Sequence, residues 1–189
     1  APRLLELYSA GDIYTELATL LFSDPEKRKH AKRLFLAYAY GMNMNALITA
    51  ATGYGAGRVA ARSIFRSFSV FEAWKTSIWE TFSSEDRVGT CLGNYLNRER
   101  NGTLQGQEQR SAVSQVVQCT ASLIFKKALL ALSVLSNVEL KLPMHDAVLV
   151  QTPKDYDVNQ LPSILGDVMS NHFKGLVNGK ASIEPFFPV

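Results

Sequence analysis

Val138-Glu139-Leu140-Lys141-Leu142-Pro143-Met144-His145-Asp146-Ala147-Val148-Leu149-Val150-Gln151 alternates apolar with polar side chains over its first half and ends in a denser apolar run. The period of two predicts a half-buried strand over 138–144, and the run at 147–151 predicts a second. His145-Asp146 falls at the bend between them. A carboxylate there has a fixed backbone and an outward direction, which suits a hard divalent cation that takes oxygen ligands. An ordinary turn aspartate presents the same pattern.

Outward from this hairpin the chain reads as helical. A long, mostly apolar helix is expected over Gln109–Leu135 and a last one over Ser163–Phe173, with a short strand or extended tail near Ala181–Phe187. From Leu4 to about Phe82 the periodicity is again helical. Asp12 is a helix cap before Ile13, Leu17, Leu20 and Leu21, and Asp24-Pro25 restarts the chain as cap and first-turn proline of a helix running to Gly41. Further helices are expected at Asn45–Ala51 and Gly57–Phe82. Gly53, Gly55 and Gly57 invite a phosphate-loop reading, but no strand precedes them and no Lys-Ser or Lys-Thr follows, so they read as a helix–helix connection. Ser83–Gly106 is polar and rich in Asn and Gly, and reads as turns. Helices with one small antiparallel sheet make the fold class α+β.

A chain of 189 residues, 47% apolar, can bury a core of its own. No uninterrupted apolar run reaches the roughly 18 residues of a membrane span, because Lys126 and Lys127 interrupt Ala121–Leu135. The N-terminal residues lack a secretory pattern, so the expected location is cytoplasmic and no membrane partner is expected. Cys91 and Cys119 have no metal-ligand spacing and read as free thiols in a reducing compartment. The net charge of +3 decides little, but Lys27, Arg28, Lys29, Lys32 and Arg33 are concentrated in one stretch. That stretch suits either a solvated helix face or an anion site.

Two further groupings bear on chemistry. Arg28, Lys32, Leu36 and Tyr40 recur every fourth residue, about 40° apart around a helix, so they form a slowly winding stripe. An arginine fork and a lysine point charge on one such stripe suit a polyphosphate. Arg110, Gln115 and Gln118 interrupt an otherwise apolar helix. Long donors on a rigid helix suit the minor-groove acceptors that every base pair presents; glutamines bonded to backbone are the other reading.

Taken in order, these groupings resemble DNA polymerase family A. The family's motif B, an Arg, three residues, a Lys, seven residues and Tyr-Gly, is met by Arg28, Lys32, Tyr40 and Gly41. Gly11 through Ala18 is similar to the stretch between motifs A and B, with Tyr14 where bacterial enzymes usually carry His. Arg110 through Ala121 is similar to the helix that touches the template–primer, and His145-Asp146 to the start of motif C. The resemblance spans about Leu4 to Phe187. It implies fingers and part of a palm: helices leading into the fingers over 1–22, fingers over 23–82, and a C-terminal palm over 83–189. It also implies that Arg28 and Lys32, with Tyr14 and Leu36 beside them, receive a dNTP and that Tyr40 packs on the nascent pair. Arg110, Ser114, Gln118 and His145 are then expected to hold template–primer DNA, and Asp146 to be the catalytic ligand of Mg²⁺.

Three departures qualify what the resemblance implies. Leu36 stands where the family usually has an aromatic residue tied to sugar discrimination. Ala147 replaces the Glu that normally follows the motif C Asp. Motif A, with the second catalytic aspartate, is not in the sequence. The expectation is a split, phage-type polymerase in which two Mg²⁺ ions are shared with an aspartate from a second chain that also brings the thumb and any exonuclease. The alternatives are an inactive polymerase-derived DNA-binding or scaffold subunit and a fragment of a single-subunit RNA polymerase.

Overall fold

The computed structural model describes residues 2–90, 93–99 and 101–186. Helices dominate, with two small antiparallel sheets, so the α+β class holds. The chain divides into two compact units, Ala1–Cys119 and Thr120–Val189.

The first unit begins with α1 (Pro2–Ala10), α2 (Ile13–Phe22), a single tight turn at Pro25–Lys27, α3 (Arg28–Ala39), α4 (Met44–Gly53), α5 (Arg58–Arg66) and α6 (Ser69–Glu85). Caps set several of these boundaries. Asp12 accepts from the Thr15 amide at the start of α2, and Asn43 accepts from the Ala46 amide at the start of α4. At the end of α3, Gly41 adopts φ 92°, its N–H reaches the Tyr38 carbonyl and the Met42 N–H reaches the Ala37 carbonyl. That pair of bonds is a Schellman termination, which needs a left-handed residue and so favours glycine.

Leu17, Ala18 and Leu21 of α2, Ala31, Leu34 and Tyr38 of α3, and Leu47, Ile48 and Ala51 of α4 share one core with Ala61, Phe65 and Phe68. Tyr38 lies at its aromatic centre, with ring centroids of Phe65, Phe68 and Phe71 at 5.2, 5.8 and 5.7 Å. This cluster explains a difference from the single helix expected over Gly57–Phe82, which is two helices broken at Ser67-Phe68. In one straight helix Phe65, Phe68 and Phe71 would fan around the axis. The break turns all three onto Tyr38, and the Ser67 hydroxyl donates to the Ile64 carbonyl at 2.6 Å where the helix ends.

The polar stretch after α6 is not turns alone. It contains β1 (Arg87–Thr90) paired antiparallel with β2 (Gly93–Asn97). Gly89, Gly93 and two asparagines mask the strand pattern in the sequence, while Val88 and Leu96 join Ile78, Phe82, Ala112 and Val113 in a second core. Arg98, nearly buried, donates to the Gly102 carbonyl at 2.8 Å and lies 3.6 Å from Asp86 and 3.7 Å from Glu108, which ties the segment down. Cys91 lies outside the described residues; Cys119 is a free, buried thiol.

Helix α7 (Gly106–Ser133) crosses the boundary between the units. By length and composition alone it could cross a membrane; Gln115 and Gln118 are hydrogen-bonded within the first unit, as described below. In the second unit, β3 (Glu139–Met144) pairs with β4 (Ala147–Gln151), with Met144 opposite Ala147 and Glu139 opposite Gln151. Leu132, Val138 and Leu161 form the core there, with Leu140, Val148, Val150, Ile164 and Leu165 packed on it, the last two from α8 (Gln160–His172). Of the short strand or extended tail expected near the C-terminus, no strand is formed over residues 181–186, which are irregular, and Phe187 lies outside the described residues.

Candidate functional site

The stripe read from the sequence sits on α3, in the first unit. Arg28 opens the helix and Tyr40 caps it, so its members are carried by one rigid element. Lys32 is exposed; Leu36 and Tyr40 are half-buried.

Tyr14, on the first turn of α2, lies against the basic end of this stripe. The Arg28 guanidinium is 5.3 Å and the Lys32 ammonium 5.6 Å from its ring centroid, within the range of cation–π attraction. The ring is held in turn by Phe35, edge to face at 6.1 Å, which links it to Phe68 and the core. Two cations therefore lie against one aromatic surface. Burial, followed by the negative charge of Asp12, raises the Tyr14 hydroxyl above the usual phenol range.

Asp12 is the residue that the spacing argument missed at this site. Its carboxylate receives Arg28 Nε on Oδ2 at 2.8 Å and Arg28 Nη2 on Oδ1 at 2.9 Å, a two-pronged ion pair between residues 16 apart in sequence. Oδ2 also accepts from the Thr15 amide at 2.9 Å and the Thr15 hydroxyl at 2.8 Å. The Arg28 hydrogen bond, more than those of Thr15, holds Asp12 well below the ordinary carboxylate range, and the same bond raises Arg28. The cap was legible in the sequence. The ion pair was not, because it depends on how α2 and α3 pack.

At the other end of the stripe, α3 meets α7. Gln118 Nε2 donates to the Tyr40 hydroxyl at 3.2 Å. Gly41 faces Arg110 so closely that a β-carbon would lie 3.3 Å from Arg110 Cγ. Arg110, Ser114 and Gln118 are spaced at every fourth residue of α7, and so form one stripe. Gln115 is turned elsewhere. It donates to the Asn94 carbonyl at 2.6 Å, beside the Cys119 thiol, and so anchors the β1–β2 hairpin. Of the three polar residues grouped on this helix, one thus has a structural task.

A buried charge near the end of α3 is Lys75 on α6. It is 2% exposed, donates to the Tyr38 carbonyl at 3.2 Å and pairs with Glu72 at 2.8 Å. Its signal was present: Phe71, Lys75, Ile78 and Phe82 share the helical spacing of a buried face.

In the second unit, Asp146 and His145 form the two-residue turn of the β3–β4 hairpin, and both are exposed. His145 takes φ 50°, a backbone state that histidine tolerates better than most residues. Asp146 offers a hard oxygen donor on a short, paired turn. Among the described residues no three His, Cys, Asp or Glu side chains come together to hold a metal ion.

The sequence profile described as DNA polymerase family A matches residues 1–184. No curated protein matches the chain. Among solved structures, the POL domain of Pol1 from M. smegmatis, in complex with DNA primer-template and dNTP, aligns with a TM-score of 0.66 at 20% identity, over 89% of this chain and 32% of that one. At that identity the likeness is one of fold, and the chain spans about a third of the length of the POL domain it matches.

Proposed function

We propose, for a chain that belongs to DNA polymerase family A, that it forms the fingers and part of the palm of an enzyme adding dNTPs to a primer 3′ end. Residues 1–22 lead into the fingers, 23–82 form them, and 83–189 belong to the palm. The observation that carries this reading is the joining of two stripes. Arg28 and Lys32 lie together at Tyr14, and the same helix ends in a hydrogen bond from Gln118 of α7 to Tyr40.

Each residue has a task that follows from its chemistry. Arg28 offers a planar fork and Lys32 a compact charge, which together suit the phosphates of an incoming nucleotide. Tyr40 packs on the nascent base pair, with Leu36 one turn earlier on the same side. Arg110, Ser114 and Gln118 present donors to the minor groove, where acceptors recur in every pair and contacts check pairing without reading sequence. His145 holds the primer end beside Asp146.

Asp146 would hold an edge of a divalent cation. When bound, a pair of Mg²⁺ ions would activate the primer hydroxyl and neutralise the leaving pyrophosphate. One carboxylate can bridge two ions but cannot by itself complete the six-oxygen shell that each of them needs. No such cluster of ligands is found among the described residues, and we assign the remaining ones to a partner chain that also brings the thumb.

The test is primer extension with Mg²⁺ by the purified chain, alone and with a candidate partner carrying the missing aspartate. Extension is expected only from the pair, and Asp146→Ala in the pair is expected to abolish it. Robust synthesis by the chain alone would refute the divided site. An undiminished rate with Asp146→Ala would refute the metal assignment.

A further inference from the structure

Asp12 does more than a cap requires. A helix cap needs one oxygen accepting from the first turn, and Oδ2 supplies it to Thr15. Oδ1 has no part in that cap and receives Arg28 Nη2 at 2.9 Å. The carboxylate is itself held in one orientation by the Thr15 amide and hydroxyl. It is therefore a fixed template for the plane of a guanidinium 16 residues away on another helix.

We infer that Asp12 is a positioning residue for the nucleotide triphosphate, acting through Arg28. The inference rests on the proposed role of Arg28. A guanidinium has five N–H donors, of which Asp12 takes one on Nε and one on Nη2. Three remain, both on Nη1 and the second on Nη2, and they lie on the side away from the carboxylate. Tyr14 supports the face of the same group. Edge and face are thereby fixed before any ligand arrives, so a phosphate meets a fork already ordered and the cost of ordering it at binding is avoided.

The opposite possibility is a competitor. A carboxylate bonded to Arg28 could instead have to be displaced by the triphosphate, and its removal would then tighten binding. Geometry decides against this, because the donors taken by Asp12 lie along one edge and leave the other edge complete.

The experiment uses the assembled polymerase and steady-state dNTP incorporation, with Asp12→Asn, Arg28→Ala and the double variant. Asn can still cap α2 through its side-chain oxygen but cannot match both prongs of the guanidinium. Asp12→Asn is expected to raise the KM for dNTP about three- to tenfold, the ordering cost of one long side chain, with a smaller change in kcat. In the Arg28→Ala background the same substitution is expected to change KM less than twofold, because the group it positions is gone. A KM that falls in Asp12→Asn would establish competition instead, and equal effects in both backgrounds would show that Asp12 does not act through Arg28. A KM unaffected by Arg28→Ala would overturn the phosphate role of Arg28 itself. A raised KM in Arg28→Ala with none in Asp12→Asn would overturn only the positioning role. Thermal denaturation of Asp12→Asn beside Asp12→Ala separates cap loss from both, since only the alanine removes the cap.

Discussion

Replacing Lys75 by methionine removes one ammonium and very little volume. In the structure that ammonium donates to the Tyr38 carbonyl at 3.2 Å, pairs with Glu72 at 2.8 Å and lies 4.4 Å over the Tyr38 ring. The side chain is 2% exposed, so the charge has been taken out of water and is held by those three contacts. A hydrogen bond from a charged donor contributes about 1.5–3 kcal/mol net. Two features reduce the loss. The Tyr38 carbonyl keeps the Gly41 N–H at 3.1 Å as a second donor, and Glu72 is 40% exposed and can turn to water. Methionine also fills the site in an apolar environment at small packing cost. The expected net loss is about 1–2 kcal/mol, which for a chain of this size lowers Tm by about 2–8 °C.

The assay is thermal unfolding followed by far-ultraviolet circular dichroism, with Lys75→Ala alongside. Alanine adds a cavity to the lost contacts and is expected to be the more damaging of the two. The Tyr38 carbonyl belongs to the last turn of α3, so loosening it also loosens Tyr40 and Gly41. Loss of nucleotide affinity is therefore expected to track the loss of stability. A Lys75→Met chain as stable as the original, or more so, would refute the reasoning, because desolvation of the ammonium would then outweigh its three contacts.

Gly41→Ala combines a φ of 92° with a β-carbon 3.3 Å from Arg110 Cγ, and is expected to cost at least about 1 kcal/mol. Urea unfolding is expected to show a lower midpoint at unchanged slope, and an unchanged midpoint would mean that the close approach of α3 and α7 is easily relaxed. The Gln118–Tyr40 hydrogen bond at 3.2 Å predicts a coupling of about 0.5–1.5 kcal/mol between Gln118→Ala and Tyr40→Phe in a double-mutant cycle on primer-template affinity. Strict additivity would mean that the bond does not persist when DNA is bound.

The elements that the sequence disclosed are those whose signal is local. Asp12 and Asp24 announce helix starts because an N-cap acts within its own turn, and the alternation at 138–144 announces a strand because the pleat has a period of two. Gly41 marks the end of α3 for the same reason. The break at Ser67-Phe68 left no local mark, since neither residue disfavours helix strongly and the cause lies in Tyr38, some thirty positions earlier. The β1–β2 hairpin was obscured because its stability comes from Gln115, Cys119 and Arg98 outside the strands. At the candidate site the cationic stripe was legible as spacing on one helix. Its aromatic support at Tyr14 followed from the family resemblance alone, and its counter-ion and its link to Gln118 were not legible, because each joins helices whose packing no spacing rule encodes.

The Asp12–Arg28 pair also bears on what a metal-binding carboxylate requires. A carboxylate that reaches these cations forms an ion pair with them, as Asp12 does, and a carboxylate so engaged has its oxygens occupied by N–H donors. A metal ligand needs those same lone pairs open. Asp146, which we propose as a metal ligand, lies on an exposed turn between strands that fix its backbone. Lys32 meets the converse need: among the described residues no carboxylate pairs with it, and it rests on Tyr14, which attracts the charge without neutralising it. Tyr14 beside Lys32 thus leaves that charge open to an anion, whereas the Arg28 charge is oriented by Asp12 and keeps three N–H donors for one.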